Sequence, residues 1–369
     1  MRHFDVIIIG GGVAGAATAL MLKQHAPSLS VVLIERSTYD QVRIGETLVP
    51  QAGSILHQLG VWQDFLTQGY LPSYGTCAAW GQAELHHNEF IFSMHGQGWH
   101  LDRRAFDRWF ASQAENRGVA LYTNTRVVEH QQKADMWTLT VQHDASQQQL
   151  QTRFVVDATG RSAIFARQQQ ARRVHFDQLV GLFIFFHFET PPTDATTMVE
   201  AWEDGWWYSA LLPDSQMVVA CMSDADLVRT TRLKSLDLWL NCLKETRYTK
   251  KRLTEAKLGT DPQIYAAHTH RLEQVIGDGW LAVGDAATTF DPLSSQGIFK
   301  AMRSGVFAAY AISDHLNGDP IALPKYEKVV TQEFLAYLQT WQAYYSQEQR
   351  WPQSTFWHRR HQVPLYMQE

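Results

Sequence analysis

Gly10, Gly12 and Gly15 stand between an apolar run, Phe4 to Ile9, and a stretch with helical spacing from about Val13 to Lys23. In that setting GxGxxG has chemical content. Gly10 permits a tight turn, Gly12 lets backbone approach a pyrophosphate, and Gly15 lets the helix pack closely on the strand, while Val13 and Ala14 open a helix whose first N–H groups are free to bind an anion. Glu35 ends a second apolar run 20 residues after Gly15, where a carboxylate accepts hydrogen bonds from a ribose diol. Arg36, next to it, is placed either against an adenine or in solvent. By itself the motif serves NAD, NADP and FAD equally well.

The elements that must hold this turn alternate. A strand at Phe4 to Ile9, a helix from Val13, a strand at Ser30 to Glu35 and an amphipathic helix near Thr47 to Leu59 make a βαβ opening. From Gly118 to Phe154 short alternating segments predict an antiparallel meander that returns to a parallel sheet. Between Leu179 and Met222 four strand-like runs, broken by Glu203-Asp204-Gly205 and Pro213-Asp214-Ser215, predict a second, antiparallel sheet. Leu233, Leu236, Leu240 and Leu243 repeat at helical spacing and predict a covering helix. An apolar strand returns at Trp280, a long helix runs from about Gln296 to Leu316, and the aromatic end reads as a docked helix plus tail. The fold class is therefore α/β: a Rossmann-like dinucleotide domain (1–75, 99–175 and 268–318) interrupted by an antiparallel-sheet substrate domain (76–98 and 176–267), followed by a C-terminal helical segment and tail (319–369).

Composition narrows the function. With 369 residues, 45% of them hydrophobic, the chain builds a large core, and a net charge of -5 without a basic run argues against nucleic acid. Three dispersed cysteines, Cys77, Cys221 and Cys242, lack metal-ligand spacing and suggest neither a disulfide framework nor a zinc site, so no metal is expected. No motif isolates any of the sixteen histidines, and His100 beside an Asp-Arg pair is assigned no role as a base. No apolar run is long enough to span a membrane. Cleaving the N-terminus as a signal peptide would destroy the glycine motif that follows the first strand, so the expected location is a reducing cytoplasm.

Three further segments carry a family resemblance. WLAVGDAATTFDPLSSQGIFKAMRSG, from Trp280, resembles the second FAD fingerprint of the flavoprotein monooxygenases and flavin-dependent halogenases, which share the p-hydroxybenzoate hydroxylase fold. HLDRRAFDRWF, from His100, is similar to the family's D-R-x-x-F-D helix, and VVDATGRSA, from Val155, to its D-x-x-G segment. The resemblance implies FAD as cofactor. It gives Asp285 the ribityl chain, points the helix beginning near Gln296, Gly297 and Ile298 at the isoalloxazine, and brings Arg103, Asp157, Gly160, Gly284 and Pro292 to the cofactor. A helix N-terminus there would favour a negative reduced flavin by roughly 0.3 to 2 kcal/mol.

RIGETLVP, from Arg43, and GWWYSALLP, from Gly205, resemble the halogenase-like branch and bring Glu46, near the flavin in that branch, together with Trp202, Trp206, Trp207 and Tyr208 as candidate pocket residues. Strand alternation sends Trp206 and Tyr208 to one face and Trp207 to the other. Halogenases of the branch use a lysine near the end of the first third to position hypohalous acid, yet no lysine lies between Lys23 and Lys133. DPLSSQG also lacks the carboxylate that halogenases place near substrate. Over nearly the whole chain the sequence is similar to a narrower group, the flavoproteins that mature the tryptophylquinone cofactors of lysine ε-oxidase, glycine oxidase and quinohemoprotein amine dehydrogenase. That resemblance implies an FAD-dependent monooxygenase that hydroxylates a tryptophan side chain of a precursor quinoprotein subunit, using molecular oxygen and electrons from NAD(P)H or a separate flavin reductase. The alternatives are a hydroxylase or halogenase of a free small aromatic metabolite, a flavin-dependent reductase of isoprenoid double bonds, and a binding chaperone with a structural flavin.

Overall fold

The computed structural model describes residues 1–362; the last seven residues of the predicted tail lie outside them. Two eight-stranded sheets dominate. The first is built on Arg2–Ile9, which pairs in parallel with Val31–Ile34 on one side and Ser146–Asp157 on the other. Val6, Ile7 and Ile8 are fully buried there, because both faces of a parallel sheet are covered. Helices Val13–His25 and Gly297–Leu316 pack on each other against this sheet. Small residues make the approach possible: a Cβ on Gly305 would stand 2.7 Å from the Ala14 carbonyl oxygen.

The predicted meander is present as Thr125–Lys133, Met136–His143 and Ser146–Asp157, whose last strand enters the parallel sheet beside Trp280–Ala282. The second large sheet contains Leu179–His187, Gln216–Asp224, Gly205–Leu212 and Thr197–Trp202 in that order. Gly75–Ala79 adds to it in parallel alongside Thr197–Trp202. Its two faces bury different sets of side chains, Trp206 and Tyr208 on one and Trp207 on the other. Helix Leu236–Glu245 covers the Trp207 face, with Trp239 fully buried; Leu233 is buried just ahead of it rather than within it.

Two expectations need correction. The helix predicted from Thr47 begins only at Ala52, since Thr47–Leu48 pairs as a strand with Trp99 and His100, and Pro50 disfavours helix at Val49. The aromatic end holds the expected docked helix, Ala322–Gln347, of which WQAYYSQ is the last part, but a further helix, Thr355–His361, stands where only a tail was expected. Among the described residues no helix is long and apolar enough to cross a membrane.

Candidate functional site

A cavity of about 620 Å³ runs from the glycine turn to the second sheet. At one end its wall is Gly10, Gly12, Val13, Ala14, Glu35 and Arg36. Gly10 has φ +112° and a Cβ there would lie 2.2 Å from the Ala158 carbonyl oxygen, so only glycine makes this turn. Gly12 is open to the cavity, with nothing nearer its Cβ position than Arg43 Nη1 at 3.7 Å. Glu35 also ties the turn internally: its Oε2 accepts from the Gly11 N–H at 2.8 Å, and its Oε1 accepts from Ser37 and Arg43. Tyr39 completes the tie by donating to the Gly11 carbonyl at 2.9 Å.

Along its length the wall continues through Arg103, Gly160, Asp285, Pro292, Gly297 and Ile298. Asp102 caps helix Arg103–Glu115 by accepting from the Arg104 and Ala105 N–H groups, which sets Arg103 at the first helical position. Arg103 lines the cavity while its guanidinium donates to the Ile44 and Gly45 carbonyls, both at 2.9 Å, and to Asp107 one turn on. Arg43 Nη1 bonds the same Asp107 at 2.6 Å, so one buried carboxylate clamps the loop that carries Glu46. Asp285 lies 2.7 Å from the Nζ of Lys300, a lysine fully buried in the long helix. Burial alone would raise the Asp285 carboxyl, but Lys300 and Arg161 more than offset it and hold it below its ordinary value.

Four of the sequence candidates stand off the wall and act on residues that form it. Gly15 lies beneath the turn, where a Cβ would be 2.0 Å from the Gly10 carbonyl oxygen. Asp157 is buried and accepts from Thr159 and from the Ala166 N–H, which shapes the loop bearing Gly160. Gly284 takes a positive φ and donates its N–H to Ser304. Gln296, exposed, stands at the N-cap position of the long helix without a side-chain capping bond.

At the far end Glu46, Thr47, Phe183, Tyr208, Met222 and Tyr265 line the cavity. Both carboxylate oxygens of Glu46 are buried without a hydrogen-bond partner. Burial pushes its carboxyl up to about 7, and the Gly45 and Glu46 N–H groups and Arg103 offset only part of that. Tyr208 Oη is 2.9 Å from Thr47 Oγ1, which is 3.3 Å from Thr197 Oγ1, itself 2.9 Å from His100 Nε2. His100 is fully buried, and burial pushes it down to about 4, so the chain of hydroxyls ends on a neutral imidazole. Trp206 does not belong to the cavity: it is fully buried and its Nε1 donates to Tyr345 Oη at 3.0 Å. Trp202 and Trp207 face the opposite side of the sheet. Asp291 forms part of the floor, accepting from Tyr345 Oη at 2.7 Å and from Trp341 Nε1 at 3.1 Å.

Sequence reasoning overlooked Tyr39, Arg43, Asp107 and Lys300. Asp107 was visible as the second aspartate of the D-R-x-x-F-D segment, and Lys300 as a charge on the apolar face of the long helix; nothing marked Tyr39. Helix N-terminal N–H groups at both Val13 and Gly297, a carboxylate at Glu35 and another at Asp285 give the cavity the donors and acceptors that a long, doubly phosphorylated dinucleotide needs.

Known proteins agree with that donor set. Residues 3–331 match the FAD-binding domain family. A putative FAD-dependent oxidoreductase, LodB of Marinomonas mediterranea, is 32% identical over 98% of both chains. Two solved structures share the fold. The myxobacterial chondrochloren halogenase CndH superposes with TM-score 0.90 at 23% identity, covering 100% of this chain and 88% of its own. QhpG, a peptidyl tryptophan dihydroxylase essential for tryptophylquinone cofactor biogenesis, superposes with TM-score 0.74 at 25% identity, covering 98% and 80%. Halogenases are frequent among the other relatives. The cofactor is FAD, and the chain belongs to the FAD-binding domain family as an FAD-dependent oxidoreductase.

Proposed function

We propose that the chain is an FAD-dependent monooxygenase that hydroxylates a tryptophan side chain of a partner precursor protein during tryptophylquinone biogenesis. What carries the reading is the unpartnered Glu46 carboxyl in the cavity wall, together with the lack, among the described residues, of any lysine lining that cavity. A halogenase of this branch is expected to hold hypohalous acid on a lysine, whereas oxygenation of an indole needs a base for the proton that the ring releases. The whole-chain likeness to QhpG supports the same substrate class.

In this reading Gly10, Gly12, Val13 and Ala14 hold the pyrophosphate, Glu35 and Arg36 the adenosine, and Asp285 the ribityl chain, with Pro292, Gly297 and Ile298 against the ring system. FAD, once reduced, supplies the oxygen activation. The protein excludes water and holds the indole on the apolar wall of Phe183, Tyr208, Met222 and Tyr265. Glu46, as carboxylate, accepts the proton. Residues 1–75, 99–175 and 268–318 form the cofactor domain, and 76–98 with 176–267 the substrate domain.

The test is coexpression of a precursor quinoprotein subunit with and without this chain, followed by peptide mass spectrometry. Oxygen added to one tryptophan only in its presence is the expected result; an unmodified tryptophan in both samples refutes the reading. Incorporation of halide into a free indole or phenol would favour the metabolite halogenase instead. A separate expectation concerns the cradle. Gly15→Ala forces the turn and helix apart at a cost of roughly 1 to 3 kcal/mol, so FAD affinity should fall about 10- to 100-fold in a fluorescence titration.

A further inference from the structure

Three histidines that no motif singles out meet behind the cavity wall. Strand Arg173–His175 pairs antiparallel with His270–Leu272, which puts His175 opposite His270, and His268 precedes His270 by two residues. The ring centroids lie 4.8, 5.4 and 5.2 Å apart for the pairs 175–268, 175–270 and 268–270. One ring nitrogen from each lies within 4.8 Å of the other two.

Thr289 backs the deepest ring. His270 is fully buried, and its Nδ1 is 2.9 Å from Thr289 Oγ1. That hydroxyl accepts from the His270 N–H and can donate its proton to the His268 carbonyl at 3.0 Å. In the arrangement where it does so, His270 Nδ1 carries the hydrogen and Nε2 presents a lone pair to a ligand. Nε2 of His270 and Nε2 of His268 are both buried with no partner. Buried polar nitrogens left this way destabilise the fold, and a shared ligand would relieve both. His175 is exposed and gives the cluster an opening to solvent.

Arg161 and Arg173 add positive charge to this neighbourhood, which disfavours a bare cation. Arg173, however, has a buried Nε–H without an acceptor. Three imidazole rings beside an unsatisfied guanidinium N–H suit a metal ion that brings its own anion. We propose that His175, His268 and His270 bind one late first-row transition ion, zinc or copper, with chloride or hydroxide in the fourth position beside Arg173. Zinc–nitrogen bonds of about 2.0 to 2.1 Å require the rings to close in slightly on binding. Backing the His270 ring, Thr289 plays the part that outer hydrogen-bond partners play at known sites. The site adjoins the cofactor: Ala266 and Ala267, just before His268, line the cavity, and Arg161 bonds the His268 carbonyl while reaching towards Asp285.

Metal binding at these histidines does not depend on which substrate the enzyme oxidises. Its test uses the full-length, FAD-loaded chain after chelator treatment, titrated with ZnCl2 and separately with CuSO4 in chloride buffer. One ion per chain is expected, with a melting temperature that rises with metal concentration. His175→Ala, an exposed change that leaves the core intact, should weaken binding at least about tenfold and abolish the shift, and His268→Ala should do the same. Substoichiometric binding in the wild-type chain, or full binding that survives His175→Ala, would overturn the assignment. The absorbance of bound FAD checks that each variant is folded.

Discussion

Glutamine at position 46 should lower product formation about 100- to 10,000-fold while leaving FAD bound, and should make the protein more stable above neutral pH. Both effects come from one carboxyl. As a base, Glu46 acts in its ionised form, so activity in the wild-type chain rises with pH through about 7 and then levels, and the variant lacks that rise. The stability effect has the opposite sign. A carboxyl whose value is raised on folding binds more protons folded than unfolded in the range between its ordinary value and about 7. Its contribution is most favourable below the ordinary carboxylate range and is lost as pH climbs to about 7; above that, the buried charge costs roughly 3 kcal/mol. Urea denaturation at pH 5 and pH 8 measures this: Glu46→Gln should gain on the wild type at pH 8 and little at pH 5. Undiminished turnover in the variant, or a wild-type pH profile without a limb near 7, would remove Glu46 from the chemistry.

Asp224→Ala should destabilise the fold by about 3 to 5 kcal/mol, because it strands a buried cation. Asp224 and Arg360 are each 2% exposed at the side chain and meet at 2.8 Å, with Arg359 bonding the same carboxylate at 2.8 Å. Through this pair the helix Thr355–His361 is bound to the end of strand Gln216–Asp224. Without the carboxylate, Arg360 keeps only the Phe356 carbonyl and the faces of Phe356 and Tyr345, along with the field of Asp177. A buried guanidinium left in that state is far costlier than a pair never made. Arg360→Met combined with Asp224→Ala should therefore recover much of the loss, and Asp224→Asn, which retains an acceptor, should cost less. Tyr345, packed against the same helix, bonds Asp291 in the cavity floor, so the single alanine variant should also release FAD at a lower denaturant concentration. Coincident unfolding of Asp224→Ala and the wild type would show that the pair contributes nothing.

Much of the cofactor end was legible because its chemistry is local. Gly10, Gly12 and Gly15 act within five residues of one another, and Glu35 is set by the length of one helix and one strand. Alternation along Gly205–Leu212 likewise separated Tyr208 from Trp207. It could not tell Tyr208, at the cavity, from Trp206, two residues away on the same face, because Tyr345 from the long C-terminal helix covers one and not the other.

By itself the sequence determined the strand order of the opening unit, the dinucleotide turn and the presence of a second, antiparallel sheet, since periodicity and turn chemistry act over a few residues. Tertiary structure alone decided that Arg103 is consumed by Asp107 and two loop carbonyls, that Glu46 is buried without a partner, and that His175 meets His268 and His270. Apart from the one-turn Arg103–Asp107 pair, those outcomes depend on burial and on contacts between residues about 60 to 95 positions apart. Solvent exclusion sets whether a carboxyl is charged, and cross-strand register sets which rings share a space; neither is written in any short window of the chain.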